Sequence, residues 1–153
     1  MAAKHLAFVL LFGVILIYLP IRVFSAVQWP PVIGIFQVGG IVIAALGAAI
    51  ALSSVSGFAF IGRGTPAPFA APRRLVTRGP YRFVRNPMYI GVGVFFAGTA
   101  MFYRSMLVFA YVLVFFVASH AFIDLYEEPT LRDKFGDEYA MYCQRVRRWR
   151  PHV

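Results

Sequence analysis

Residues 85–129 decide the fold of this chain; they read RNPMYIGVGVFFAGTAMFYRSMLVFAYVLVFFVASHAFIDLYEEP. Two apolar runs without Asp, Glu, Lys or Arg, 86–103 and 105–123, are separated by Arg104 alone. Each run is close to the roughly 20 apolar residues that a helix needs to cross a bilayer. The stretch therefore predicts an antiparallel hairpin of two membrane helices with a tight turn at Arg104.

The spacing of this hairpin brings its two polar ends together. Arg85 and Ile123 each stand 19 residues from Arg104, so they lie at the same height. Glu127 follows four residues later, about one helical turn or 6 Å further on. We therefore expect the Arg-Asn-Pro-Met-Tyr segment that begins at Arg85 to face the Glu127-Glu128 pair at the cytoplasmic interface.

Composition places the whole chain in the membrane class. Its 153 residues are 60% hydrophobic and 14% charged, with a mean hydropathy of +0.72, whereas soluble domains are about 25% charged. The net charge of +9 does not indicate nucleic acid, because the arginines flank apolar runs; it indicates topology and attraction to anionic lipid headgroups. The length allows one domain, 1–153, and the lone Cys143 offers neither a disulfide framework nor a cysteine-based metal site.

Two further apolar runs precede the hairpin. The expected spans are therefore about 5–24, 32–56, 87–103 and 105–125. The first run is too long for a signal peptide, and no convincing cleavage site follows Arg22. Six arginines lie between Gly57 and Pro87, and five more with one lysine follow Tyr126. The positive-inside rule then places both termini and the long loop in the cytoplasm, and we expect an integral multi-pass protein of a bacterial inner membrane.

The polar segments predict the remaining architecture. Segment 62–80 is rich in Gly and Pro and should be irregular. Pro129 is expected to stop span four and to begin a new helix over about 129–148, which is amphipathic, interfacial and broken or bent at Gly136. Small residues at three- and four-residue spacing in span two predict close helix contact. The fold class is all-α: a polytopic bundle of about four transmembrane helices with a C-terminal amphipathic helix.

The facing ends of the hairpin carry groups that suit a polar, partly cationic cofactor. Arg85 can grip a carboxylate with two hydrogen bonds. Pro87 begins span three, whose first backbone N–H groups are unpaired and favour an anion. Glu127 and Glu128 can accept hydrogen bonds from an ammonium or from ribose hydroxyls.

Aromatic and small residues complete the candidate cofactor site. Tyr81 and Tyr89 offer ring faces and hydroxyls. Gly91 and Gly93 would let a ligand approach the backbone, although helix packing is their plainer role. S-adenosylmethionine has a carboxylate, an ammonium, a ribose, an adenine and a sulfonium, and it would use all of these groups.

These motifs resemble the integral-membrane methyltransferases of the isoprenylcysteine carboxyl methyltransferase and phosphatidylethanolamine N-methyltransferase superfamily. The matching text is LVTRGPYRFVRNPMYIG at 75–91 and YEEP at 126–129, followed by further matches that include Tyr139. Eukaryotic carboxyl methyltransferases typically have His where this chain has Asn86; phospholipid N-methyltransferases and many bacterial relatives are similar to it there. The resemblance implies S-adenosyl-L-methionine at the cytosolic end of the hairpin, with the C-terminal helix closing over it. The contacts that it implies are Arg85, Asn86, Tyr89, Glu127 and Glu128, and Tyr139 belongs to the same matched text.

Methyl transfer mainly requires that two reactants be positioned and water excluded. A carboxylate or thiolate acceptor needs no base, whereas a protonated amine needs one. The candidate bases are Glu127, Glu128, Asp124 and His120. Asp124 could instead form an ion pair with an arginine at the membrane interface. His120 could instead be a histidine that is hydrogen-bonded within the helix bundle and has no catalytic role.

The acceptor is expected to be lipophilic or membrane-associated and to enter from the bilayer. Two other classes remain open. One is a membrane reductase of the sterol-reductase type, which would bind NADPH. The other is a non-catalytic or transport protein of four helices, which the lack of an acidic residue in spans one to three disfavours.

Overall fold

The computed structural model describes residues 13–28, 32–60 and 74–151, and within these ranges every regular element is helical. The all-α fold class is confirmed. The elements are a π-helical turn Val14–Tyr18, α1 Leu19–Ser25, α2 Ile35–Phe60, a 3-10 turn Gly79–Arg82, α3 Pro87–Tyr103, α4 Met106–Phe122, a second π-helical turn Ile123–Glu127, and α5 Glu128–Arg145. The first part of the expected span 5–24 and most of the segment 62–80 lie outside the described residues.

Two of the helical stretches are long and apolar enough to cross a membrane, namely Ile35–Gly57 and the continuous Met106–Arg145. The apolar helix α3 is shorter, with 17 residues and a length of about 26 Å. Large apolar side chains point away from the bundle, and Ile35 and Val117 are 83% and 73% exposed. An outward surface of this kind suits contact with lipid rather than with water.

Helices α2 and α3 pack with their backbones in direct contact. A Cβ atom added at Gly47 would overlap the backbone of Phe95 and Gly91, and one added at Gly98 would overlap the backbone of Ala44. Small residues permit this approach because no side chain separates the two helices. The small residues of span two therefore have the packing role that the sequence predicts.

The turn between α3 and α4 has the tightness that the sequence predicts. Arg104 takes the left-handed conformation, with φ 51° and ψ 38°, and its N–H donates to the carbonyl of Ala100. The Ser105 hydroxyl accepts a hydrogen bond of 3.3 Å from the Val108 N–H and caps the start of α4. One residue thus reverses the chain, and the two helices run antiparallel from it.

Pro129 does not interrupt the helix, so the prediction that it ends span four is wrong, but it lies in the first turn of α5, as expected. The helix continues from α4 through the π-helical turn into α5, and Glu128 keeps helical angles of φ −64° and ψ −43°. Within the turn, the Glu128 N–H donates to the carbonyl of Ile123, five residues earlier. The wider π turn shifts the hydrogen-bonding register, so that the missing N–H and the ring of the proline are accommodated without a break.

The C-terminal helix α5 is interrupted where the sequence indicates. Gly136 has φ 48° and ψ −121°, so the two halves of the helix run in different directions. The helix ends at Arg145, three residues before the expected 148, because Val146 is extended. Tyr139, Tyr142 and Val146 form the buried side of the second half. The chain after Val146 then turns back towards the start of α3.

Candidate functional site

The two ends of the hairpin meet, as the residue count predicts. A guanidinium nitrogen of Arg85, Nη1, lies 3.2 Å from Oε1 of Glu128. The hydroxyl of Tyr89, in the first turn of α3, donates a hydrogen bond of 2.9 Å to Oε2 of Glu127. Two segments that lie about forty residues apart in the sequence therefore form one cluster at the polar end of the hairpin.

The two adjacent glutamates have different electrostatic surroundings. Glu128 is buried and lies within ion-pair distance of three arginines, namely Arg85 at 3.2 Å, Arg148 at 2.9 Å and Arg132 at 3.8 Å. Its charge is therefore compensated within the protein. Glu128 acts as the point that ties α3, α5 and the C-terminal segment together.

Glu127 has no such compensation. Within 13–28, 32–60 and 74–151 no Arg or Lys forms an ion pair with it, and its carboxylate accepts a hydrogen bond from the Tyr89 hydroxyl. Burial raises the pKa of the Glu127 carboxyl to about 7, although the hydrogen bond from Tyr89 opposes the rise; the charge of Glu128 adds to it. A partly buried carboxylate of this kind would be stabilised by a cation that a ligand brings.

Arg85 and Asn86 supply buried donors that lack partners. Among the described residues, Nε of Arg85 and Nδ2 of Asn86 are buried without a hydrogen bond. Asn86 precedes α3 but its side chain does not cap the helix. Unpaired buried donors cost about 1–3 kcal/mol each, so two of them on neighbouring residues indicate a place for an acceptor that a ligand brings.

The C-terminal segment holds Arg85 in place. The Arg85 backbone N–H donates to the Arg147 carbonyl at 3.0 Å, and its Nη1 lies 2.6 Å from Sγ of Cys143. Arg148 donates from Nε to Oε1 of Glu128 at 3.0 Å and pairs with Asp124 at 2.6 Å. Burial lowers the pKa of Arg148, but the hydrogen bonds and charges of the two acids outweigh it and the net shift is upward.

Asp124 and His120 lie at the outer edge of the cluster. The two side chains are 3.2 Å apart and are 41% and 55% exposed, and Asp124 is also tied to Arg148. The His120 ring lies beside that of Trp149, with centroids 6.2 Å apart. The structure therefore gives Asp124 the ion-pair role that was its alternative.

Tyr81 and Tyr139 are buried beside the cluster. The Tyr81 carbonyl accepts a hydrogen bond of 2.7 Å from the Tyr142 hydroxyl, and the Tyr139 and Tyr142 rings have centroids 6.3 Å apart. Burial, together with the charge of Glu127, raises the pKa of Tyr81 well above its ordinary value. Burial and the charge of Glu128 do the same for Tyr139. Both phenols therefore stay protonated and remain possible donors.

Two predicted residues have a packing role instead. A Cβ added at Gly91 would overlap the backbone of Ala51 in α2, and one added at Gly93 would overlap the ring of Phe116. The space beside each glycine is thus filled by protein, and we leave both out of the proposed cofactor contacts. Pro87 is fully buried at the first position of α3, where its missing N–H costs nothing.

Sequence reasoning missed the contribution of Cys143, Arg147 and Arg148. The predicted helix over about 129–148 includes all three residues, and the sequence assigns none of them a role in the site. Their contacts depend on the end of α5 at Arg145 and on the return of the chain after it. The one sequence signal is that the text matching the methyltransferase superfamily continues beyond the YEEP segment.

The chain is similar in sequence to known proteins. A family model described as phospholipid methyltransferase matches residues 35–138. The chain is 40% identical over 78 residues to methanethiol S-methyltransferase 1 of Bradyrhizobium diazoefficiens, which covers 50% of this chain and 26% of that protein. It is 34% identical over 62 residues to an uncharacterized protein of Haemophilus influenzae, which covers 40% of this chain and 98% of that protein. No solved structure matches the chain significantly.

Proposed function

The chain belongs to the phospholipid methyltransferase family, and from this premise we propose that it is a membrane enzyme that transfers the methyl group of S-adenosyl-L-methionine to a lipophilic or membrane-associated acceptor. The family and the apolar helices together make it a membrane-associated methyltransferase. The proposal adds the cofactor, the residues that hold it and the class of the acceptor.

One observation carries the choice of cofactor. Among the described residues, the cluster brings together buried donors without partners, on Arg85 and Asn86, and a partly buried carboxylate without a cation, Glu127. The unpaired donors suit an anion, and the carboxylate of Glu127 suits a cation. An amino-acid zwitterion has a carboxylate and an ammonium on neighbouring atoms, and S-adenosylmethionine has such a group at one end.

The residues present fit this cofactor. Arg85 and Asn86 would hold its carboxylate, and Glu127, oriented by the hydrogen bond from Tyr89, would hold its ammonium. Tyr81 and Tyr139 lie beside these groups as further candidate contacts. When bound, the cofactor supplies a methyl group on a positively charged sulfur. Glu128 has its charge compensated by arginines, so its role would be to keep Arg85 oriented.

The protein would contribute to the reaction by positioning the two reactants and by excluding water. The reaction would be an in-line displacement at the methyl group that the bound cofactor supplies, so this chain's residues would have to hold the acceptor in line with that group. The apolar hairpin excludes water on one side, and the C-terminal segment covers Arg85 on the other. Holding both reactants in line supplies most of the acceleration that such a displacement needs.

A thiol is the acceptor class that we propose first. The chain spans about a quarter of the methanethiol S-methyltransferase that it matches, at 40% identity, and that protein's name specifies a thiol. A thiolate needs no base in the transition state. If the acceptor is an amine, a base must take its proton. Glu127 would then already hold the cofactor's ammonium, and Asp124 is tied to Arg148, so the site suits an acceptor that needs no base better.

The orientation in the membrane is part of the same proposal. The excess of arginine around the cluster supports a cytoplasmic position for the cofactor site and for both termini. The two relatives come from bacteria, which supports a bacterial inner membrane. The acceptor would enter from the bilayer and the cofactor from the cytosol.

A comparison of how S-adenosylhomocysteine and NADPH each stabilise the protein against heat tests the proposal. We expect the purified protein to be stabilised against heat by S-adenosylhomocysteine and not by NADPH, with the stabilisation lost in Arg85→Ala and Glu127→Gln. Asp133→Asn, which removes an exposed acid of α5, is the matched control and should behave as wild type. Stabilisation by NADPH alone would favour a reductase, and no response to either would favour a non-catalytic protein. Labelled methyl donor with thiols, prenylcysteine and lipid amines then identifies the acceptor.

A further inference from the structure

A groove separate from the proposed cofactor cluster lies beside the C-terminal helix. Its volume is about 680 Å³. One wall is the second half of α5, where Glu138, Met141, Tyr142 and Arg145 recur at helical spacing, and the other wall includes Arg82 from the 3-10 turn before α3. The two walls of the groove therefore come from α5 and from the segment before α3, and both lie outside the helical hairpin of α3 and α4.

The groove contains two arginines whose charge the protein leaves uncompensated. In the part of the chain that the structure describes, neither Arg82 nor Arg145 has a carboxylate within ion-pair distance. The Arg82 guanidinium stacks over the Phe83 ring at 4.4 Å, which covers its face and leaves its N–H edge for a ligand. With Glu138 the three charged side chains sum to +1, which a single anionic phosphodiester balances.

The position and the apolar lining point to a lipid. Arg82 precedes Arg85 by three residues, and Arg85 lies level with the polar end of the apolar spans, where phospholipid headgroups lie. Leu75 and Met141 give the groove apolar surface beside the charges. We propose that this groove binds the phosphodiester headgroup of an anionic phospholipid, with Arg82 and Arg145 on the phosphate.

Such a lipid would bridge the two walls. Tyr142 lines the groove and also donates to the Tyr81 carbonyl at 2.7 Å, so it already joins α5 to the segment before α3. A phosphate held by one arginine from each wall would add a second link. The proposal concerns a structural lipid and does not depend on the proposed chemistry of the cofactor cluster.

Titration of the purified protein in nonionic detergent with dihexanoyl-phosphatidylglycerol tests the site. We expect Arg82→Gln and Arg145→Gln each to weaken binding about fivefold, which corresponds to the ~1 kcal/mol that an arginine contributes near anionic lipid. Arg78→Gln and Arg150→Gln remove exposed arginines that do not line the groove and should bind as wild type. Equal weakening in all four variants would overturn the proposal, because it would show attraction to net charge alone.

Two further measurements keep the result decisive. Glu138→Gln removes the acid from the groove and should tighten phosphatidylglycerol binding about fivefold; unchanged or weaker binding would contradict the assignment even if a glutamine variant of an arginine fails to fold. Inorganic phosphate at the same concentration should compete poorly. If it competes as well as the lipid, the groove is a site for free phosphate and the lipid proposal is refuted.

Discussion

Affinity for S-adenosylhomocysteine should fall as the pH is lowered through 7, because Glu127 must be ionised to hold the ammonium. Burial raises the pKa of this carboxyl to about 7 in the protein without a ligand. The proton must leave before the ligand's cation can take its place, so binding should weaken with each unit of pH below that value. From pH 8 to pH 6 the dissociation constant should rise about tenfold, and from pH 8 to pH 5 about a hundredfold.

Calorimetric titration at several pH values, in buffers of different ionisation enthalpy, measures both the affinity and the protons released. Near pH 6 wild type should release close to one proton on binding. Glu127→Gln should bind weakly, with a shallower dependence on pH, whereas the control Asp133→Asn should follow wild type. A steep dependence that persists in Glu127→Gln would show that another group titrates, and the role assigned to Glu127 would then be refuted.

Three other predictions concern stability. Glu127→Gln should raise the unfolding temperature of the ligand-free protein at pH 8. Because the pKa of Glu127 is raised in the folded state, ionising this acid lowers the free energy of unfolding as the pH rises from 4.5 through 7, by up to about 3 kcal/mol. An unchanged unfolding temperature would contradict this cost of burying the charge. Gly91→Ala should destabilise the protein by about 1–3 kcal/mol, because the added methyl group meets the backbone of α2. The control Gly57→Ala should not, because a Cβ there makes only ordinary contacts. An equal loss of stability in both variants would count against close packing of α2 and α3. Ser119→Ala should be neutral or stabilising by about 1 kcal/mol, since its buried hydroxyl has no partner among the described residues, and a clear loss of stability in thermal unfolding would reveal a partner.

The hairpin could be predicted from the sequence because it depends on counting. A single charged residue between two apolar runs fixes the turn at Arg104, and helical rise then fixes which residues share a height. The meeting of Arg85 with Glu128 and of Tyr89 with Glu127 follows from that register.

Other features depend on information that the local sequence does not contain. Whether Gly91 faces a ligand or a helix depends on the rotation of α3 about its axis, and the packing of α2 settles it. Pro129 has a strong local preference to end a helix, which the π-helical turn overrides. The contacts of Cys143 and Arg148 arise from the return of the chain after Arg145, and no periodic pattern marks that return.

The central claim is that the cluster at the polar end of the hairpin binds S-adenosylmethionine through its amino-acid zwitterion. The most direct measurement is the affinity of purified wild-type protein and of Arg85→Ala for S-adenosylhomocysteine and for its analogue without the amino and carboxyl groups, 5′-methylthioadenosine. We predict that wild type binds S-adenosylhomocysteine far more tightly than the truncated analogue and that Arg85→Ala removes most of the difference. Equal affinity of wild type for the two ligands, or an Arg85→Ala variant that still separates them, would contradict the account.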